Sequence, residues 1–378
     1  MKEETNIRIF VDAHVVDGPH QGTRTFIEQL YSELVHKPGI QLFIAARNTS
    51  ELKKIFENNE RVQYLKYRSQ NRMQRLLVEI PSLLKKHKID YAHFQYITPL
   101  KTTCKTIVTT HDVIFNEIPN EYSYSYKKIK GYLYKRSVQQ ADIVTTVSEH
   151  SRESIERNFR IPKGKVQLIQ NGIDKTYFDS IDRPKAREYI YEKYALEKFL
   201  LSVSRIEPRK NHASMVRVFS KLGLAGKGYY LVFLGNKTIP VPEMERELKK
   251  LTLKEKEMVL IRDDIDSEEL KYFIRAASVF LYPSKGEGFG IPPLEAAAMQ
   301  TPVICSNATA MKEFDFFEED HIDPANEQLL EERISTLIRN PPSNEILAMR
   351  AKHIREQYSW KKSAEQFYQL IQSHHFKK

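Results

Sequence analysis

Short β-branched runs alternate along this chain with longer stretches of helical period, the pattern of βαβ units built on parallel sheets. Ile7–Asp12 predicts a first strand. After the loop 13–22, Phe26, Leu30 and Leu34 recur every four residues, as the buried stripe of an amphipathic helix does. Residues 41–45 predict a second strand. A second helical stripe, Met73, Leu76, Leu77, Ile80, Leu83, Leu84 and His87, is expected to kink or restart near Pro81, with Arg72, Arg75, Lys85 and Lys86 outward. Further strands are expected at 91–94, 106–110, 143–147 and 166–169, then at 199–203, 230–234, 258–261, Val279–Tyr282 and 302–305. A last helix, 359–373, carries Trp360, Ala364, Phe367, Leu370 and Ile371 on one face and must dock on something apolar.

At 378 residues the chain exceeds the usual ~100–200 residues of one domain. The pattern divides it into a domain over 1–180, a charged and weakly patterned linker within 175–197, and a second α/β domain over 195–355. The fold class expected is α/β, two doubly wound Rossmann-like domains facing across a cleft. With 41% hydrophobic and 29% charged residues, each domain can bury a full core, which excludes a disordered or fibrous chain.

Cys104 and Cys305 stand alone, so no metal or disulfide framework is expected and a reducing cytoplasm fits. No run approaches the ~20 apolar residues of a membrane span, so a soluble or peripheral protein is expected. The charge of +10 is uneven: residues 1–180 hold 28 Lys and Arg against 20 Asp and Glu, leaving 31 against 29 for the rest. Between 61 and 136 the ratio is 15 to 5, interleaved with Tyr64, Tyr67, Tyr122, Tyr124, Tyr126, Tyr132 and Tyr134. Such a surface suits a phosphate-bearing acceptor or peripheral contact with an anionic membrane. A solvated face over packed tyrosines is the other reading. No zinc, RNP or helix-turn-helix signature accompanies the charge, so nucleic acid is not expected.

The most informative segment is Leu281-Tyr-Pro-Ser-Lys-Gly-Glu-Gly-Phe-Gly-Ile-Pro-Pro-Leu-Glu-Ala-Ala-Ala298. A strand ends in a glycine-rich loop, and a helix begins with Pro292 or Pro293 in its first turn, where no N–H is needed. Gly286, Gly288 and Gly290 let backbone approach a ligand, and the helix start offers N–H groups to a phosphate. Glu295 can accept both hydrogen bonds of a ribose diol; Glu287 can grip sugar hydroxyls and stabilise positive charge at an anomeric carbon. The plain alternative is a turn with two surface glutamates. In Ser202-Val-Ser-Arg-Ile-Glu-Pro-Arg-Lys-Asn211, Arg205 and Lys210 can neutralise a diphosphate without a metal. His111 ends a strand and can serve a sugar hydroxyl, or be a buried, hydrogen-bonded histidine. Gly22 and Thr23 open the first long helix, so their N–H groups can meet a phosphate or simply begin a helix.

Taken in order, the loop at Gly22, Thr109-Thr-His-Asp112, Val147-Ser-Glu-His-Ser151, Gln170-Asn-Gly-Ile-Asp174, 205–211, the Glu287-x7-Glu295 segment, Thr301-Pro-Val-Ile304 and Ser359-Trp360 resemble the retaining family-4 glycosyltransferases. The resemblance covers nearly the whole chain. It implies a GT-B architecture whose last segment, 356–378, crosses back to the first domain. It implies that Glu287 and His111 are catalytic, that Arg205, Lys210 and Gly22 hold the donor diphosphate, that Gly288, Phe289 and Gly290 meet the donor sugar, and that Glu295 binds the ribose. It implies no metal and no cofactor beyond a nucleotide-sugar donor. Ser204 and Asn211 stand where the family has glycine, and 307–324 lacks its usual Gly-Asp-Ala run.

The function expected is transfer of a hexose such as mannose, with retention, from a GDP- or UDP-sugar to a glycan or lipid-linked oligosaccharide acceptor in envelope polysaccharide synthesis, at the cytoplasmic face of the membrane. A sugar-nucleotide epimerase on the same fold would need no acceptor. A non-catalytic nucleotide-sugar or glycan-binding partner would hydrolyse no donor.

Overall fold

The computed structural model describes residues 6–18, 21–179, 181–237 and 239–376. Pro19 and His20 of the first loop, Ser180, Thr238 of the 235–238 loop and the ends of the two terminal segments lie outside the described residues.

Among the described residues, the strands form two all-parallel sheets. The first contains β1 (Ile7–Asp12), β2 (Ile40–Ala46), β3 (Val62–Lys66), β4 (Tyr91–Gln95), β5 (Lys105–Thr109), β6 (Ile143–Thr146) and β7 (Val166–Leu168), in the order β3-β2-β1-β4-β5-β6-β7. The second contains β8 (Lys198–Val203), β9 (Tyr229–Leu234), β10 (Val259–Arg262), β11 (Val279–Tyr282), β12 (Val303–Ser306) and β13 (His321–Ile322), in the order β10-β9-β8-β11-β12-β13. Central strands are apolar on both faces because helices cover both: Phe10, Val11, Phe94, Leu200, Leu201 and Phe280 are all buried. In each sheet the chain order reverses beside the first strand, between β1 and β4 and between β8 and β11. Ligands of open α/β sheets collect beyond the strand ends at such reversals.

The chain divides into two compact units, one of residues 1–172 with 359–378 and one of residues 173–358. The last helix, Trp360–Phe376, belongs to the first unit and packs against the helix Gly22–Leu34. Trp360 meets Phe26 edge-on at 5.9 Å, Phe367 meets Tyr31 at 6.2 Å, and Ser363 Oγ donates to the Gln170 carbonyl at 2.6 Å. Trp360 also fills the space in front of Gly172: a Cβ there would stand 2.2 Å from the Trp360 nitrogen, so residue 172 must be glycine.

Three expectations change. Residues 183–194, read as linker, are a helix, Arg183–Tyr194, packed on Ser267–Ala276; it buries little beyond Ala186 and Ile190, too narrow a stripe to register as a pattern. β3 and β13 were not expected: Val62–Lys66 lies at the sheet edge and His321–Ile322 has two residues. Around Pro81 the helix does change register, running Arg72–Gln74, then as a wider π turn through Arg75–Glu79, then Ile80–Lys86. Pro81 has no N–H for the Leu77 carbonyl, and the π turn absorbs that gap. Met73 and Leu77 face solvent and Arg75 turns inward, its guanidinium 5.6 Å from the centre of the Tyr67 ring.

Candidate active site

β8 and β11 are neighbours at the reversal of the second sheet, so the loops leaving their carboxyl ends meet. Two hydrogen bonds to one backbone carbonyl tie them: the Lys285 N–H donates to the Arg209 carbonyl at 2.8 Å, and the Ser284 hydroxyl donates to the same oxygen at 3.2 Å. Asn211 follows Lys210 with φ +61°, the left-handed region that favours glycine and that asparagine tolerates better than most residues. That accounts for Asn211 where the family has glycine. Its amide donates to the Pro324 carbonyl at 3.0 Å.

Glu287 is buried at the centre of this arrangement. Lys210 Nζ donates to Oε1 at 2.5 Å and Arg209 Nη1 to Oε2 at 2.8 Å. Lys210 also donates to Tyr282 Oη at 2.8 Å, and Arg209 to the Gly286 carbonyl at 2.8 Å and Glu207 at 3.0 Å. Burial alone would raise the Glu287 pKa, but the Arg209 and Lys210 cations hold it down at about 2. Burial, with Arg209 alongside, brings Lys210 down to about 8. At neutral pH the site is therefore a fixed carboxylate between two cations. A Gln in place of Glu287 would leave the buried Lys210 without a carboxylate partner and Arg209 with Glu207 alone.

Behind the carboxylate, the Glu287 N–H donates to Thr309 Oγ1 at 2.8 Å and Thr309 Oγ1 reaches the Glu287 carbonyl at 3.1 Å. The 307–324 loop, which lacks the family's glycine run, thus holds the Glu287 backbone. Gly290 caps the following helix, Ile291–Ala298, at φ +105°, and a Cβ there would meet Met311 Cγ at 3.0 Å and Phe314 at 3.2 Å. Pro292 and Pro293 occupy the first helical turn. Phe289 is packed edge-on against Phe314 and Tyr358, so its ring anchors the loop, and a ligand would meet its backbone, as it would meet Gly288.

Glu295, one turn into the same helix, stands apart from the two cations. Burial pushes its pKa up to about 8, opposed by a hydrogen bond from Tyr177 and reinforced by Asp174. Arg205, expected beside Lys210, is exposed and pairs at 3.1 Å with Glu207, the carboxylate that also holds Arg209, so it joins the Glu287 network only through that shared acid. Arg209 takes the inner position instead. Its only signal was adjacency to Lys210, and nothing in the spacing of a loop separates Arg205 from Arg209.

In the first unit, His111 is buried against Phe26 and Tyr96, at 5.0 and 5.4 Å between ring centres, with Nε2 2.7 Å from Gln95 Oε1. Burial lowers its pKa to about 3, so the imidazole is neutral. Gly22 begins the helix Gly22–Leu34 in open space: a methyl group on its Cα would find nothing within 4 Å. At the end of β1 the sequence reading missed Asp12, a buried carboxylate that accepts from Tyr67 Oη at 2.9 Å and lies 3.1 Å from His14 Nδ1. Its signal was present, a single acid closing a strand whose only other charged residue is Arg8.

The comparisons with known proteins follow the two units. A match to Glycosyltransferase Family 4 spans residues 20–177, and one to Glycosyl transferases group 1 spans 184–354. The O-antigen chain mannosyltransferase RfbU of Salmonella typhimurium is 29% identical over 206 residues, 54% of this chain and 53% of that protein, so the similarity spans about half of that relative's length. The O-antigen chain mannosyltransferase B of Escherichia coli is 26% identical over 300 residues, 76% of this chain and 78% of that protein. Among solved structures, a glycosyltransferase from Rickettsia africae superposes with a TM-score of 0.74 at 19% identity, over 99% of this chain and 100% of that one. With two parallel-sheet α/β domains of seven and six strands on the GT-B pattern, the chain belongs to the family-4 glycosyltransferases.

Proposed function

We propose that the chain transfers a hexose, with retention of anomeric configuration, from a GDP- or UDP-sugar to a hydroxyl of a glycan or lipid-linked acceptor in envelope polysaccharide synthesis. The observation that carries this reading is the buried Arg209–Glu287–Lys210 set beyond β8 and β11. The names of the two mannosyltransferase relatives support a mannosyl donor such as GDP-mannose.

In this reading Lys210 and Arg209 neutralise the diphosphate, aided by the N–H groups at the start of Ile291–Ala298, so that no metal is required for that charge. Arg205 and the Gly22 N–H are outer contacts. Gly288, Phe289 and Gly290 present backbone to the sugar, Glu295 takes the ribose diol, and Glu287 accepts from sugar hydroxyls and stabilises the cationic anomeric carbon. The bond from that carbon to the phosphate oxygen breaks and a bond to the acceptor oxygen forms on the same face. The acceptor proton passes to the departing phosphate. A neutral His111 fits a hydrogen-bonding role toward a sugar hydroxyl and is too weak a base for the proton.

The test is to incubate the purified chain with GDP-mannose and with UDP-hexoses, with and without an acceptor, and to assign the product anomer by NMR. Product with the donor's configuration, lost in Glu287→Gln, supports the proposal; an inverted product, or an epimerised sugar nucleotide formed without acceptor, overturns it.

A further inference from the structure

The exposed apolar surface of the first unit is concentrated on two helices. Met73 and Val78 on the segment 72–86, and Tyr124, Ile129 and Tyr132 on Tyr124–Gln140, are each 59–72% exposed, and Leu77 is 42% exposed. The two segments are side by side: their inward residues Leu76, Ile80, Tyr134 and Val138 share one core cluster. The Arg72 cation is near enough to Lys130 to add to the lowering that burial imposes on its pKa. Large exposed apolar residues of the second unit, such as Tyr191, Leu253 and Met349, sit on three separate helices.

The charge around the patch has one sign. Tyr124–Gln140 holds five basic residues and no acidic one, and 72–86 holds four against one. That one acid, Glu79, is turned to the backbone N–H groups of Arg68 and Ser69. Lys128 lies over the Tyr124 ring at 5.5 Å and Lys130 over Tyr126 at 5.8 Å, so apolar and cationic groups are presented together.

We propose that this two-helix face docks on an anionic phospholipid surface. Charge complementarity selects the occupant: a second copy would bring the same cations face to face, and a soluble polyanion has no use for exposed Met, Val and Ile. Tyrosine rings and aliphatic side chains settle at the headgroup boundary while the lysines reach lipid phosphates. Among the described residues no helix is long and apolar enough to cross a membrane, so contact on this face is interfacial. This inference deepens the proposed reaction, since a lipid-linked acceptor would be presented at such a surface, but its support does not depend on the donor site.

The experiment is flotation of the 378-residue chain with phosphatidylcholine vesicles and with mixed phosphatidylglycerol–phosphatidylcholine vesicles, at low and high salt. Binding to the anionic vesicles alone, weakened by salt, is expected, with about a tenfold or greater loss in Ile129→Glu/Tyr132→Glu and separately in Met73→Glu/Val78→Glu. Equal binding of both double variants overturns the proposal, as does equal binding to uncharged vesicles. Loss of self-association by size-exclusion chromatography in those variants, or tighter binding to RNA than to vesicles, assigns the face elsewhere and also overturns it. Thermal stabilisation by GDP or UDP in the same samples reports the donor site separately, so failure here is distinguishable from failure of the transferase reading.

Discussion

The Lys210 ammonium lies 2.5 Å from Glu287 Oε1, with both side chains buried and Arg209 on the other carboxylate oxygen. Glu287→Gln keeps the shape and removes the charge that faces two cations. Transfer should fall by about a hundredfold or more, the usual scale for losing one preorganised electrostatic group. Nucleotide affinity should change only a few-fold by calorimetry. Without nucleotide the variant should lose about 3–5 kcal/mol in denaturant unfolding, the cost of orphaning a buried charge. Turnover at the wild-type rate would remove Glu287 from the mechanism.

Acid should expose the same pair. The folded-state Glu287 pKa of about 2 is below its ordinary 4.5, so its contribution to stability is complete above 4.5 and lost as pH falls toward 2. Unfolding midpoints across that window should decline more steeply in the wild type than in Glu287→Gln.

Alkali should act through Lys210. Its pKa of about 8 means that its charge disappears at and above that pH, and with it part of the attraction for a diphosphate. Nucleotide affinity should drop between about pH 7 and pH 9, and Lys210→Arg, which stays charged, should flatten that drop. A drop of equal size in both proteins would place its cause elsewhere.

Glu295 should behave in the opposite sense. With a pKa of about 8 it is mostly protonated at pH 7, and accepting two ribose hydroxyls favours the ionised form. Nucleotide binding at pH 7 should therefore release protons, measured by calorimetry in buffers of different ionisation enthalpy, and Glu295→Gln should abolish the release. In Tyr177→Phe, which removes the hydrogen bond that lowers this pKa, a labelled Glu295 carboxyl should titrate at higher pH by NMR.

Two glycines should separate folding from binding. Gly290→Ala places a Cβ at φ +105° against Met311 and Phe314, and should cost about 1–3 kcal/mol in unfolding. Gly22→Ala meets nothing and starts a helix, so stability should hold or rise by about 0.5 kcal/mol. If a phosphate packs against Gly22, the same methyl should weaken donor binding; unchanged affinity would free Gly22 of that role.

The strands of both sheets other than the edge strands β3 and β13, and the glycine loop with Glu287, were legible because buried parallel strands are continuous apolar runs and Gly-x-Gly before a proline start has few structural uses. Arg209 was not, since which of several loop cations turns inward depends on the path of the loop, here set by Ser284 and Lys285. The inward turn of Arg75 was hidden because the π turn that begins there departs from the 3.6-residue period on which a helical stripe is read. The helix Arg183–Tyr194 was missed because it buries a narrow stripe beneath a charged exterior. Asp12 was visible and overlooked, as a lone acid at a strand end resembles any loop boundary.

The helix Trp360–Phe376 is the last described element to leave the ribosome, yet it completes the first unit. Until it is made, Phe26, Tyr31 and the backbone at Gly172 lack the cover of Trp360 and Phe367, while everything the second unit needs for its own core has already been synthesised. Chain order and unit order are therefore inverted: a chain cut before Trp360 would hold every residue of the second unit's core while the first unit lacked its last helix.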